Sequence, residues 1–85
     1  MNTDKIAKSA LIIEKKKREL EIKLKSLILE ECSLKIYDYR GNLIDHFEHL
    51  NSEKIKVEIK NYNIGFYIVT LEKKQDIFYG SFYLN

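Results

Sequence analysis

Residues 3 to 31 contain no glycine and no proline, and charged residues run through the whole stretch. A backbone with no breaker over that length has one obvious regular form, the α-helix. Thr3 can cap it by accepting from an orphan N–H, and Asp4 sits where the helix dipole favours negative charge. Glu14–Arg18, Glu19–Lys23 and Glu21–Lys25 are i,i+4 pairs in the favourable order. Ile6, Ala10, Ile13, Leu20, Leu24 and Leu27 follow alternating spacings of four and three, with Lys17 at one seam position, as in a coiled coil. Residues 1–32 are therefore expected to form one long amphipathic helix. About 28 helical residues span roughly 42 Å. A compact unit of the remaining size has a diameter of roughly 26 Å. The helix should overhang, with Ile6, Ala10, Ile13, Lys17 and Leu20 facing a partner, a second copy of the chain being one form of it.

Residues 33–85 read differently. Ser33 to Tyr39 is a strand, Arg40-Gly41-Asn42 a tight turn, and Leu43 to Leu50 the return strand of a hairpin. Lys54 to Lys60 alternates, with Ile55, Val57 and Ile59 inward and the charges outward. Gly65 to Leu71 is apolar on both sides and reads as a central strand. Lys73 to Asp76 turns into a last strand, Ile77 to Leu84. The expected fold class is α+β: one long N-terminal helix followed by a five-stranded antiparallel β-sheet or small immunoglobulin-like sandwich.

The residues Leu34, Ile36, Tyr37, Asp38 and Gly41, then Ile55, Val57 and Ile59, then Gly65, Tyr67, Val69 and Leu71, follow a pattern. It runs from an apolar-I-Y-D-x-x-G motif, through an alternating strand, to a G-x-Y-x-V-x-L motif. In this, residues 34–85 resemble the C-terminal sorting domain of type IX secretion cargo, in its type A form. The resemblance implies an immunoglobulin-like sandwich that addresses a secreted protein to an outer-membrane translocon. The N-terminal helix expected here has no counterpart in that family.

Composition excludes more than it identifies. Cys32 is the only cysteine, so no disulfide forms within the chain, and a buried thiol is expected. The net charge of +2 is too small to imply nucleic acid. Lys15, Lys16, Lys17 and Arg18 are a basic patch that could meet phosphate, although four consecutive helical residues fan around the axis. No stretch reads as a signal peptide or a membrane span, so a cytoplasmic chain with no membrane contact is expected. His46 and His49 are the only histidines, and on a strand they fall on opposite faces, which suits no shared metal. His46 with Cys32 has no surrounding nucleophile motif. Asp38, Asp45 and Glu48 flank a hairpin and read as solvated. Gly41, Gly65 and Gly80 are too far apart to cradle a phosphate. No cofactor and no catalysis are expected.

Aromatic residues concentrate in the β half. Alternation sets Tyr37 and Tyr39 opposite Leu34 and Ile36, and Tyr79 and Tyr83 opposite Phe78 and Phe82. These four tyrosines form a candidate aromatic contact face. The whole chain reads as a small non-enzymatic inhibitor or regulator that binds a protein partner stoichiometrically, such as a phage-encoded antagonist of a bacterial defence nuclease. The type IX sorting module is the second reading, and a small RNA- or DNA-binding protein the third.

Overall fold

The computed structural model describes residues 11–24, 31–50, 54–73 and 76–85. Among them the regular structure is entirely strand: β1 (Leu11–Lys15), β2 (Glu19–Leu24), β3 (Cys32–Asp38), β4 (Leu43–Leu50), β5 (Lys54–Glu58), β6 (Gly65–Lys73) and β7 (Asp76–Leu84). All pairings are antiparallel. They make a three-stranded sheet in the order β1-β2-β5 and a four-stranded sheet in the order β4-β3-β6-β7. The five strands expected in the second half are present and divide between two sheets, which is the sandwich form of that expectation and not the single-sheet form.

The expected N-terminal helix is overturned. Where it was placed, β1 and β2 form a hairpin in which Leu11 faces Leu24 and Lys15 faces Leu20. The segment that fits a heptad also contains the period-two rows Leu11-x-Ile13 and Leu20-x-Ile22, and the fold uses the second period. Magnitudes explain the choice. Three helical ion pairs contribute about 0.2–0.5 kcal/mol each, whereas a fully buried leucine or isoleucine contributes about 1.5–3 kcal/mol. Leu20 and Ile22 are fully buried. Their backbone also pairs with β5, Leu20 opposite Val57 and Ile22 opposite Ile55, which gives that strand a ladder partner. Tertiary pairing outweighs local helix propensity here. The pairing also crosses the expected boundary at 32/33, so both segments share one core. Ile6, Ala10 and Leu27 lie outside the described residues.

The core is the space between the sheets. Leu20, Ile22, Ile55 and Val57 from one side and Leu34, Ile36, Val69 and Leu71 from the other belong to a single buried cluster. At one margin of the sandwich β1 runs against β7, and Gly80 makes the approach feasible. A Cβ at Gly80 would lie 2.5 Å from Ile13 Cδ1 and 3.2 Å from Leu11 Cβ. Glu21 points away from the core yet is covered by its neighbours, with Oε2 3.7 Å from Lys16 Nζ and 3.8 Å from Lys54 Nζ. Burial raises its carboxyl pKa, and the charges of Lys16, Lys54 and Lys56 outweigh that, leaving it below the ordinary value.

Candidate functional site

The alternation that buries one side of the four-stranded sheet exposes the other. In β6, Tyr67, Val69 and Leu71 point inward, so Phe66 and Ile68 point out. In β7, Phe82 points inward and Tyr79 and Tyr83 point out. Register then assembles a face. Phe66 stands opposite Tyr83, Thr70 opposite Tyr79, and Ile68 opposite Tyr37 of β3. Tyr37 in turn faces Leu43 of β4. Phe66 is 42% exposed and Tyr83 58%. Phe66, Ile68, Tyr79, Gly80 and Ser81 border a shallow groove of about 280 Å³ on this face. An apolar, aromatic sheet face open to solvent suits contact with another protein.

Of the four tyrosines picked from the sequence, Tyr37, Tyr79 and Tyr83 lie on this face. Tyr39 lies in the β3–β4 turn, where its hydroxyl accepts from Arg40 Nε at 2.9 Å and the guanidinium sits 5.4 Å from its ring. Phe66 and Ile68 were not picked out. Reading residues 65–71 as apolar on both sides hid which side would be left open.

The remaining candidates scatter. The basic patch forms the tip of the β1–β2 hairpin, where Lys16 N–H donates to the Glu19 carbonyl at 2.8 Å and Lys17 and Arg18 stand at the apex. Leu20 is in the core and so faces no partner, Ile13 is half-buried, and Lys17 is exposed. Cys32 is buried on the inner side of β3, and its thiol donates to the Leu50 carbonyl at 3.4 Å. Burial pushes its pKa up, assisted by Glu31 and opposed by Lys73, the condition of an unreactive thiol. His46 is exposed and stands opposite Lys35, on the outer side, so β3 separates it from Cys32. Its Nε2 lies 2.6 Å from Glu48 Oε2. The side chain of His49 lies outside the described residues.

Asp45 is engaged rather than solvated. The Tyr62 hydroxyl donates to its Oδ2, and burial with that carboxylate raises the Tyr62 pKa. Tyr62 continues into a ring cluster with Tyr67 at 5.2 Å, and Tyr67 stacks on Phe82 at 5.1 Å. The Tyr67 hydroxyl donates to the Asn63 carbonyl at 2.7 Å, tying down the loop that enters β6. Among the described residues no group of three His, Cys, Asp or Glu side chains is placed to hold a metal.

Residues 16–81 match the family described as the secretion system C-terminal sorting domain. The chain belongs to that family. The match begins at the β1–β2 hairpin tip, well before residue 34, so this sorting domain includes strand β2 and residues 16–32 of the segment expected to be a helix without counterpart. A solved structure from Bacteroides vulgatus, a DUF3244 family protein with an immunoglobulin-like β-sandwich fold, resembles the chain with a TM-score of 0.70 at 16% identity. The likeness covers 89% of this chain and 85% of that one, and it bears on fold alone. No curated protein matches significantly.

These findings correct four expectations. The fold is a β-sandwich, not α+β. The coiled coil is gone, and with it the argument for an overhanging helix. A sorting domain of a secretion system is not a cytoplasmic phage-type inhibitor or regulator, so the expected function and the cytoplasmic location both fall. The sorting reading, set second on the sequence, is the one the family supports.

The family motifs now have physical roles. Leu34, Ile36, Tyr67, Val69 and Leu71 fill the core. Gly41 and Gly65 take φ of 87° and 146°, which side chains rarely adopt. Asp38 holds the turn: Oδ1 accepts from the N–H of Arg40 and of Asn42, both at 2.9 Å, and Oδ2 from Asn42 Nδ2 at 3.1 Å. Most motif residues of the sorting domain thus specify the fold, and the open face is built from Tyr37 together with positions that alternate with the core residues.

Proposed function

We propose that this chain is a non-enzymatic address: a folded sandwich that a type IX secretion apparatus binds in order to pass an attached protein across the outer membrane. Membership of the sorting-domain family over residues 16–81 carries the reading. The contact is assigned to the outer face of the four-stranded sheet, where Tyr37, Phe66, Ile68, Tyr79 and Tyr83 present apolar surface that no strand among the described residues covers. Binding there needs no reacting group. Its specificity comes from aromatic shape and buried area, the usual basis of strong protein contacts.

The test is export of a reporter enzyme carrying a signal peptide in front and all 85 residues behind, in a bacterium with a type IX system. The expected result is reporter activity at the cell surface or in the medium, lost in a strain lacking the translocon. Phe66→Ser with Tyr83→Ser should strand the reporter in the periplasm while leaving the sandwich folded. Retention of the unmutated fusion in the periplasm would overturn the sorting reading. Normal export of the double variant would overturn only the assignment of the face.

A further inference from the structure

One end of the sandwich carries an open basic groove of about 490 Å³, bordered by the β1–β2 tip, the loop between β5 and β6, and the end of β7. Its volume falls within the range of small-ligand sites. Lys15, Lys17, Arg18 and Lys60 line it together with Ile64 and Leu84. Lys60 is shared with Glu58 at 3.5 Å. Lys15, Lys17 and Arg18 have no ion-pair partner among the described residues. Ile64 is 73% exposed beside them. Like charges gathered at one site on a chain of net charge +2 raise the local potential and favour an anion.

The placement of the charges narrows the kind of anion. A compact phosphate is best held by converging N–H groups. Three N–H groups around this groove are already committed: Lys16 to Glu19 O, Ile59 to Arg18 O and Tyr62 to Ile59 O. The cationic side chains themselves are spread across two separate loops, next to the apolar surface of Ile64 and Leu84. That arrangement complements carboxylates distributed along a chain more closely than one dense phosphate.

We propose that this groove binds an acidic polypeptide segment of a partner, its carboxylates over Lys15, Lys17, Arg18 and Lys60 and an apolar side chain against Ile64 and Leu84. The proposal stands apart from the sorting reading, because it concerns a different surface and is tested on the isolated chain.

The experiment titrates a fluorescently labelled, glutamate-rich peptide with interspersed leucines into the full chain and follows anisotropy. Saturable binding is expected, weakening on the order of tenfold between ~50 mM and ~500 mM salt. Lys15→Glu with Arg18→Glu should weaken it by about tenfold or more. Lys15→Gln with Arg18→Gln should give a smaller loss, and circular dichroism verifies that each variant is folded. Lys23→Glu, an exposed charge elsewhere on β2, should change nothing. Ile64→Ser should weaken the leucine-bearing peptide and leave a leucine-free one unaffected. No binding, binding indifferent to the charge reversals, or preference for polyphosphate or an oligonucleotide over the peptide would each overturn the proposal.

Discussion

The two hairpins β1–β2 and β3–β4 make the same shape by opposite means. The β3–β4 turn is built from its own residues. Asp38 accepts three hydrogen bonds from Arg40 and Asn42. Gly41 takes a positive φ, and its N–H donates to the Asp38 carbonyl at 3.0 Å. The β1–β2 turn has Lys17 and Arg18 at its apex, where tight hairpins favour Asn-Gly or Gly-rich pairs. What fixes it is distant: the burial of Leu20 and Ile22 and the pairing of β2 with β5. One turn is encoded where it occurs and the other by residues more than thirty positions away. Losing a core contact should therefore cost the second hairpin its existence, and losing turn chemistry should merely weaken the first.

The largest expected effect is at Leu20. Leu20→Ala and Leu34→Ala each remove a fully buried side chain, and each should cost about 2–5 kcal/mol in urea unfolding. Leu20→Asp should leave the chain unfolded, because it buries an unpaired charge in a small domain with about 5–15 kcal/mol of total stability at most. Should Leu20→Ala cost no more than a surface change, about 0.5 kcal/mol, the β1–β2 hairpin would be an appendage and the comparison would fail.

Gly80 tests the other attachment of that hairpin, the seam between β1 and β7. Gly80→Val forces a side chain into Ile13 and Leu11 and should destabilise by about 1–3 kcal/mol. Gly80→Ala should cost less, since the nearest atom is the movable Ile13 Cδ1. Ile13→Val removes that atom, so a double-mutant cycle with Gly80→Ala should show positive coupling of about 0.5 kcal/mol or more. A coupling of zero would mean that β1 does not pack on β7 as described.

The same contrast explains what could be read in advance. The strands from Cys32 onward were legible because they alternate or, at residues 65–71, run apolar on both sides, and are bounded by punctuation: Gly41, Asn51-Ser52, Gly65. Ile55, Val57 and Ile59 face the core as their spacing says. Residues 11–24 carry period-two rows too, but they are short, and Lys15 to Arg18 between them look like the surface of a helix rather than a turn. Nothing within that window decides between the periods. The deciding term is Val57 and Ile55 needing a neighbour. The aromatic face was half visible for a related reason. Tyr37, Tyr79 and Tyr83 announce themselves by alternation, whereas Phe66 and Ile68 sit in a strand that is apolar on both sides, and only the assignment of β6 to a sheet with one open face separates them from Val69.

A smaller effect is expected at Gly41. Its φ of 87° lies where a side chain is strained, and nothing stands within 4 Å of an added Cβ. Gly41→Ala should thus cost a pure backbone penalty of about 1–2 kcal/mol. Gly41→Asn should recover part of it, because asparagine tolerates the left-handed region. Equal losses would point to a steric cause and would weaken the claim that this turn is written in local conformation.

The finest discrimination between the hairpins is electrostatic, and it compares Asp38 with Glu21. Both carboxyls sit below their ordinary pKa, for different reasons. Asp38 is lowered first by the Asn42 N–H, then by the Asn42 side chain and by Arg40, against some burial. Glu21 is raised by burial and lowered by more through Lys16, Lys54 and Lys56. In each case the folded pKa lies below the unfolded one, so the stabilisation is complete above the unfolded value, near 3.8 for Asp38 and 4.5 for Glu21. It drains away as the pH falls towards the folded value. Asp38→Asn and Glu21→Gln should therefore each be less stable than the unmutated chain at neutral pH, and both gaps should close in acid. Salt should separate them. The lysine field around Glu21 is screened within a few ångströms at high ionic strength, whereas hydrogen bonds from N–H groups fixed by the turn are not. Raising the salt at neutral pH should shrink the Glu21→Gln gap and leave the Asp38→Asn gap nearly unchanged. If both gaps shrink alike, Asp38 acts through the charge of Arg40 and not through its turn geometry, and the first hairpin is as dependent on its surroundings as the second.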